Sequence, residues 1–146
     1  SIPNAKDFRF GIVVSEWNDQ VTDALLAGAV DVLRAQGLKK DSLIVKYVPG
    51  SFELSLGAQY LASEKKIDAV ICLGCVIQGE TRHFDFICDA VANGITNVGL
   101  KYNKPVIFGV LTTDNMQQAL DRAGGKHGNK GEEAAVTAVK MLGFTD

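Results

Sequence analysis

The sequence predicts an α/β fold, a three-layer sandwich in which a four-stranded parallel sheet lies between layers of helices. Three observations predict it. Short apolar runs alternate along the chain with segments of helical periodicity. The run from Ala69 to Ile77, AVICLGCVI, is continuously hydrophobic, as a parallel strand covered on both faces must be. The chain holds 146 residues, 47% apolar and 22% charged, the size and mix of one globular domain with a core of its own. Strand–helix alternation implies right-handed crossovers between parallel strands. No repeat, linker, low-complexity segment or heptad seam divides the chain, so a single domain is expected over 1–146.

The elements follow in order. Phe8 to Ser15 forms the first strand. Asn18 is placed to cap a helix whose apolar stripe is Val21, Ala24, Leu25, Gly28, Ala29, Val32 and Leu33, ending at Gly37. Leu43 to Val48 is the second strand, broken by Pro49-Gly50, and a helix runs from Phe52 to Ser63. Ala69 to Val76 is the third strand, and the next helix carries Phe84, Ile87, Cys88, Val91, Ile95 and Val98. Pro105 to Leu111 is the fourth strand, followed by a helix near Asn115 to Ala123. A glycine-rich turn from Gly124 to Gly131 leads into the last helix, Glu132 to Leu142. A flavodoxin-like strand order is expected. Ile2 to Lys6 is too short for a strand–helix unit of its own; it is either disordered or an added edge strand, of this sheet or of a neighbouring subunit's.

Bulk numbers exclude several classes. A net charge of −2 offers no basic patch, which speaks against nucleic acid and anionic membranes as partners. No apolar run reaches the roughly 18 residues that span a bilayer. The first seven residues hold no apolar leader core, so a cytoplasmic protein is expected. Cys72, Cys75 and Cys88 fit no disulfide framework, and Cys72-x-x-Cys75 lies inside an apolar strand where buried thiols are expected. No third ligand has suitable spacing for a metal around His83 and Asp85.

Residues that carry chemistry sit just after strand ends, where ligands bind in parallel α/β sheets. The richest segment is Gly74-Cys-Val-Ile-Gln-Gly-Glu-Thr-Arg-His-Phe-Asp85. It closes an apolar strand with a carboxylate (Glu80), a hydroxyl (Thr81), a guanidinium and an imidazole (His83), which makes His83 the candidate for proton transfer. Gly79-Glu80-Thr81 is read as opening a helix whose free amides favour an anion. Trp17 follows the first strand outside the helical stripe, a place that suits stacking on a flat heterocycle. Ser51, Phe52 and Glu53 follow Pro49-Gly50, where they either cap the helix or bind polar edges of a ligand. Phe108 sits within the fourth strand and Thr112-Thr113 follow it. All four strand ends are expected to meet at one rim. Arg122 and Lys130 could supply positive charge, and His127 is expected to be a solvated loop residue. Lys130 is followed by glycine, not Ser or Thr, so the glycine turn is no Walker A loop.

Four motifs together resemble one family. VPGSFE (48–53), GCVIQGETRHFD (74–85), FGVLTT (108–113) and RAGGKHGNKG (122–131) are similar, in order and spacing, to those of lumazine synthase (6,7-dimethyl-8-ribityllumazine synthase), and the likeness runs from Phe8 to Leu142. The resemblance implies a transferase of riboflavin biosynthesis. It would condense 5-amino-6-(D-ribitylamino)uracil with 3,4-dihydroxy-2-butanone 4-phosphate, releasing phosphate and water, with no metal or organic cofactor.

By the same resemblance, Trp17 stacks on the pyrimidine, and Asn18, Ser51, Phe52 and Glu53 contact the pyrimidine and its ribityl chain. Val76 and Ile77 line the ring pocket. Gly79, Glu80, Thr81 and Arg122 match the phosphate site, and His83 matches the proton-transfer residue. Phe108 and Lys130 complete the pocket from a neighbouring subunit. His83, Arg122 and Lys130 are thus the expected catalytic residues. The family forms pentamers, many of which build a hollow icosahedral shell, and riboflavin synthase is an implied partner. The short turn between Arg122 and Lys130 resembles shell-forming members, whereas Trp17 in place of phenylalanine is similar to members that bind riboflavin. The alternative is a non-catalytic riboflavin-binding homologue. A receiver or flavodoxin-like module would need a phosphoacceptor aspartate or a phosphate loop, and Ser15-Glu-Trp-Asn18 offers neither.

Overall fold

In the computed structural model, residues 2–145 are described, so both ends of the expected domain, 1 and 146, lie outside the described residues. Four parallel strands form the sheet: β1 (Phe10–Ser15), β2 (Leu43–Val48), β3 (Ala69–Ile77) and β4 (Val106–Thr113), in the order β2-β1-β3-β4. This is the expected flavodoxin-like order, which puts the two most apolar strands at the centre. Register runs Phe10 with Leu43 and Ala69, then Ile71 with Ile107.

Alternation along each strand divides the core into two layers. Phe10, Ile12, Val14, Ile71, Leu73 and Leu111 point to one face, covered by α1 (Asp19–Ala35) and α5 (Lys130–Leu142). Val13, Val70, Cys72 and Val110 point to the other, covered by α2 (Leu54–Ala62) and α3 (His83–Tyr102). The stripe of α1 is buried as its spacing demands through Val21, Leu25, Gly28, Ala29 and Leu33. Each fully buried Leu or Ile contributes roughly 1.5–3 kcal/mol, so the two layers hold the strand ends rigidly. Close packing of α1 on α5 needs two glycines: a Cβ on Gly131 would strike the Leu25 carbonyl, and one on Gly28 the Asn129 side chain.

Several boundaries differ from expectation. Residues 51–53 form a 3-10 turn before α2, and Thr112-Thr113 belong to β4. A short α4 (Met116–Asp121) is followed by a small hairpin, β5 (Ala123–Gly125) with β6 (Gly128–Asn129), where a simple turn was expected. Glycines at φ +106 (Gly124) and +83 (Gly128) let the backbone reverse there. The N-terminal segment adds no edge strand to its own sheet. Ala5 is buried, and its amide donates to the Gln36 carbonyl at 2.8 Å, which ties the segment to the C-terminal end of α1.

Candidate active site

Strand pairing between β1 and β2 continues into their loops. Glu16 and Trp17 amides donate to the carbonyls of Val48 (2.8 Å) and Pro49 (3.1 Å), which sets the Trp17 loop beside Pro49-Gly50. Asn18 stands before α1 in the left-handed region, φ 62, a conformation asparagine tolerates better than most residues. Its expected capping role is corrected. Side-chain caps need an extended N-cap backbone; here the side-chain amide donates to the Cys75 carbonyl at 3.2 Å. The residue therefore ties the β1 loop to the end of β3.

Trp17 is 73% exposed, so it is no core cap. It borders a cleft of about 640 Å³ at the carboxyl ends of β1 and β3. The same cleft is lined by Asn18, Ser51, Phe52, Val76, Ile77 and His83, seven of the expected residues once Trp17 is counted. Ile87 and Met116 also line it, and neither was expected. Ile87 hides in the sequence as one more apolar helix position, and Met116 comes from α4, whose proximity only the tertiary fold reveals.

Two buried hydroxyls lack a hydrogen-bond partner among the described residues, Ser15 and Ser51. Both pack against Gly74: a Cβ there would lie 2.7 Å from Ser51 Oγ and 3.4 Å from Ser15 Oγ. Of the two, only Ser51 lines the cleft, where its free hydroxyl can hydrogen-bond a ligand or a water. Glu53 makes the expected capping bond, with Oε1 accepting from the Gly50 amide at 2.9 Å, and its side chain lines an adjoining groove with Tyr47 and Tyr60.

The segment after β3 also differs from expectation. The Gln78 amide continues the ladder by donating to the Thr113 carbonyl at 2.8 Å, but α3 begins only at His83, so Gly79-Glu80-Thr81 is an exposed loop and not a helix start. Thr81 Oγ1 accepts from the His83 amide at 3.3 Å, a local bond that closes the loop against the helix. Gly79, Glu80 and Thr81 line neither major cleft.

Phe108, Arg122 and Lys130 assemble elsewhere. With Thr112, Thr113 and His127 they line a second cleft, of about 440 Å³, along the open edge of β4. The four strand ends do meet at one rim, since Trp17, Ser51, Ile77 and Met116 all line the first cleft and the register sets Thr112 and Thr113 beside Val76 and Ile77. Phe108, Arg122 and Lys130, by contrast, line only the second. No residue lines both clefts. Local bonds hold the second cleft. Arg122 Nη1 donates to the Gln118 carbonyl at 3.2 Å, and the Lys130 amide to the Arg122 carbonyl at 2.8 Å. Asn129 Oδ1 accepts from the Gly131 and Glu132 amides, and its Nδ2 donates to the Ala24 carbonyl at 3.1 Å.

Cysteine chemistry is silenced by burial, which pushes Cys72 up to about 12 and Cys75 to about 11. Cys88 is raised by burial and by Asp85 and Asp89. Neutral thiols make poor nucleophiles and poor metal ligands, as expected of buried structural cysteines.

Fold and site define a parallel α/β protein with an aromatic-bordered ligand cleft at its strand ends and a separate basic cleft on its sheet edge. The chain belongs to the 6,7-dimethyl-8-ribityllumazine synthase family, whose sequence profile matches residues 7–145. It is 69% identical to the 6,7-dimethyl-8-ribityllumazine synthase of Cytophaga hutchinsonii over 144 residues, covering 99% of this chain and 91% of that one. Identity to the enzyme of Parabacteroides distasonis is 56% over 145 residues, with the same two coverages, 99% and 91%. For Porphyromonas gingivalis it is 55% over 144 residues, covering 99% and 89%.

Proposed function

We propose that this chain makes 6,7-dimethyl-8-ribityllumazine, the product for which its relatives are named, from 5-amino-6-(D-ribitylamino)uracil and 3,4-dihydroxy-2-butanone 4-phosphate. The observation that carries the reading is the division of its groups. One cleft offers an exposed indole, unpaired hydroxyl and imidazole, and the other offers the cations an organic phosphate needs. A pyrimidine stacks on Trp17, its polar edge toward Ser51 and Asn18, for about 0.5–1.5 kcal/mol beyond buried area. The phosphate lies against Arg122, whose fork suits phosphate oxygens.

The two clefts share no lining residue, which supports a working site that joins the Trp17 cleft of one copy to the Arg122 cleft of the next. On this reading the chain works as a homo-oligomer, a pentamer or a shell of pentamers, in which Phe108 and Lys130 close the pocket. Gly79, Glu80 and Thr81 reach the phosphate from the loop before α3. Riboflavin synthase is the proposed consumer of the product, and the cytoplasm the proposed compartment.

The chemistry asks for proton movement and proximity. One amine attacks the ketone and water leaves to give an imine. Phosphate is eliminated, leaving an enol that becomes a new ketone, and the second amine closes the ring onto that ketone with loss of a second water. His83 moves protons between these atoms, worth about 10²–10⁴-fold for a general acid–base. Holding the two substrates together contributes up to roughly 7–11 kcal/mol, so positioning carries more of the rate than the imidazole. Absorbance-monitored turnover of the two substrates tests the reading. A lumazine-type spectrum should rise in step with released phosphate. A preparation that binds riboflavin yet forms neither product would instead make it a non-catalytic flavin-binding homologue.

A further inference from the structure

His127, an exposed turn residue as expected, lines the β4-edge cleft together with Arg122, Lys130, Thr112 and Thr113. The hairpin fixes it there. Its amide donates to the Asp121 carbonyl at 2.8 Å, in the same short turn whose next bond joins Lys130 to Arg122. The nearby charges divide cleanly. The Asp121 carboxylate accepts from Gln117 Nε2 at 2.8 Å and pairs with Lys126 at 3.8 Å. Glu133 of α5 is the carboxylate among the cleft-lining residues, against two permanent cations, Arg122 and Lys130.

We propose that His127 is a third, titratable cation of this cleft, so that its grip on the substrate's phosphate weakens as pH rises through the imidazole range. The inference rests on the reading of this cleft as the phosphate site and adds a residue to it. Imidazoles as a class change charge between about pH 5 and 8. One charge gained beside a doubly charged anion at a partly exposed site is worth several-fold in affinity. His127 thus tunes binding of the four-carbon phosphate and leaves the pyrimidine cleft untouched.

Sulfate is the suitable probe, because it stays a dianion from pH 6 to 8 while phosphate does not. The measurement is its inhibition constant against the sugar phosphate, at constant ionic strength, in wild-type, His127→Asn and His127→Lys enzymes. Wild-type affinity should fall roughly three- to tenfold from pH 6 to 8. His127→Asn should show a smaller fall and weak binding already at pH 6, and His127→Lys tight binding across the range. Equal pH dependence in wild type and His127→Asn would overturn the proposal. Arg122→Ala separates the two claims: if sulfate inhibition survives it unchanged, the phosphate reading itself is wrong.

Discussion

The side-chain amide of Asn18 donates to the carbonyl of Cys75 at 3.2 Å. That bond lies two residues beyond the last β1–β3 pair, Val14 with Leu73, where the ladder has already ended. It ties the Trp17 loop to the end of β3, beside the cleft proposed to take the pyrimidine.

Substitution at Asn18 has two separable costs. Asn18→Ala loses the bond, about 0.5–1.5 kcal/mol, and strains a left-handed backbone by roughly 1–2 kcal/mol. Asn18→Gly loses the bond alone. Denaturant titration should rank them wild type, glycine, alanine. Both should raise KM for the pyrimidine more than they lower kcat.

Asn129 does for the basic cleft what Asn18 does for the aromatic one. It caps α5 and reaches the Ala24 carbonyl of α1. Asn129→Ala should cost about 1–3 kcal/mol through the lost cap and the orphaned carbonyl. Lys130 follows it directly, so KM for the sugar phosphate should rise too. A stability loss with an unchanged KM would show that the cap does not position Lys130.

Removing the two side chains proposed as catalytic should give unequal defects. His83→Ala should lower kcat by about 10²-fold and leave measurable turnover, because positioning persists. Arg122→Ala should cost about 10³-fold in kcat/KM, since the phosphate loses its fixed partner. Near-wild-type rates for Arg122→Ala would refute the phosphate assignment.

Buried thiols make stability fall in base. Cys72 titrates at about 12 in the fold against 9.0 for an unperturbed thiol, so the unfolded chain ionises first. Its contribution is complete below pH 9 and is lost as pH climbs toward 12, by up to about 1.4 kcal/mol per pH unit. Urea midpoints from about pH 8.5 to about pH 11 should therefore fall less steeply in Cys72→Val than in wild type. Parallel slopes would mean that this thiol stays out of reach of the linkage.

Strand and helix identities were legible because each face of the sheet and each helix stripe must be apolar, and Val21, Leu25, Ala29 and Leu33 spell one such stripe. Trp17 and His83 were legible because neither suits the core their neighbours build. What escaped depends on three-dimensional proximity. Met116 reaches the cleft from α4, and His127 is carried into the basic cleft by a hairpin of glycines. The division into two clefts was not legible in residue spacing, because sequence order does not say which side of β4 lies open; only the family resemblance set Phe108 and Lys130 apart from the Trp17 side.

Subunit mixing tests the shared site most directly. Trp17→Ala disables the aromatic cleft and Arg122→Ala the basic one, and the two variants are unfolded together and refolded as an equal mixture. Random assembly gives an intact pair at one half times one half of the sites, so turnover should recover to about a quarter of wild type. Turnover no higher than the average of the two separately refolded variants would contradict a site built from two chains.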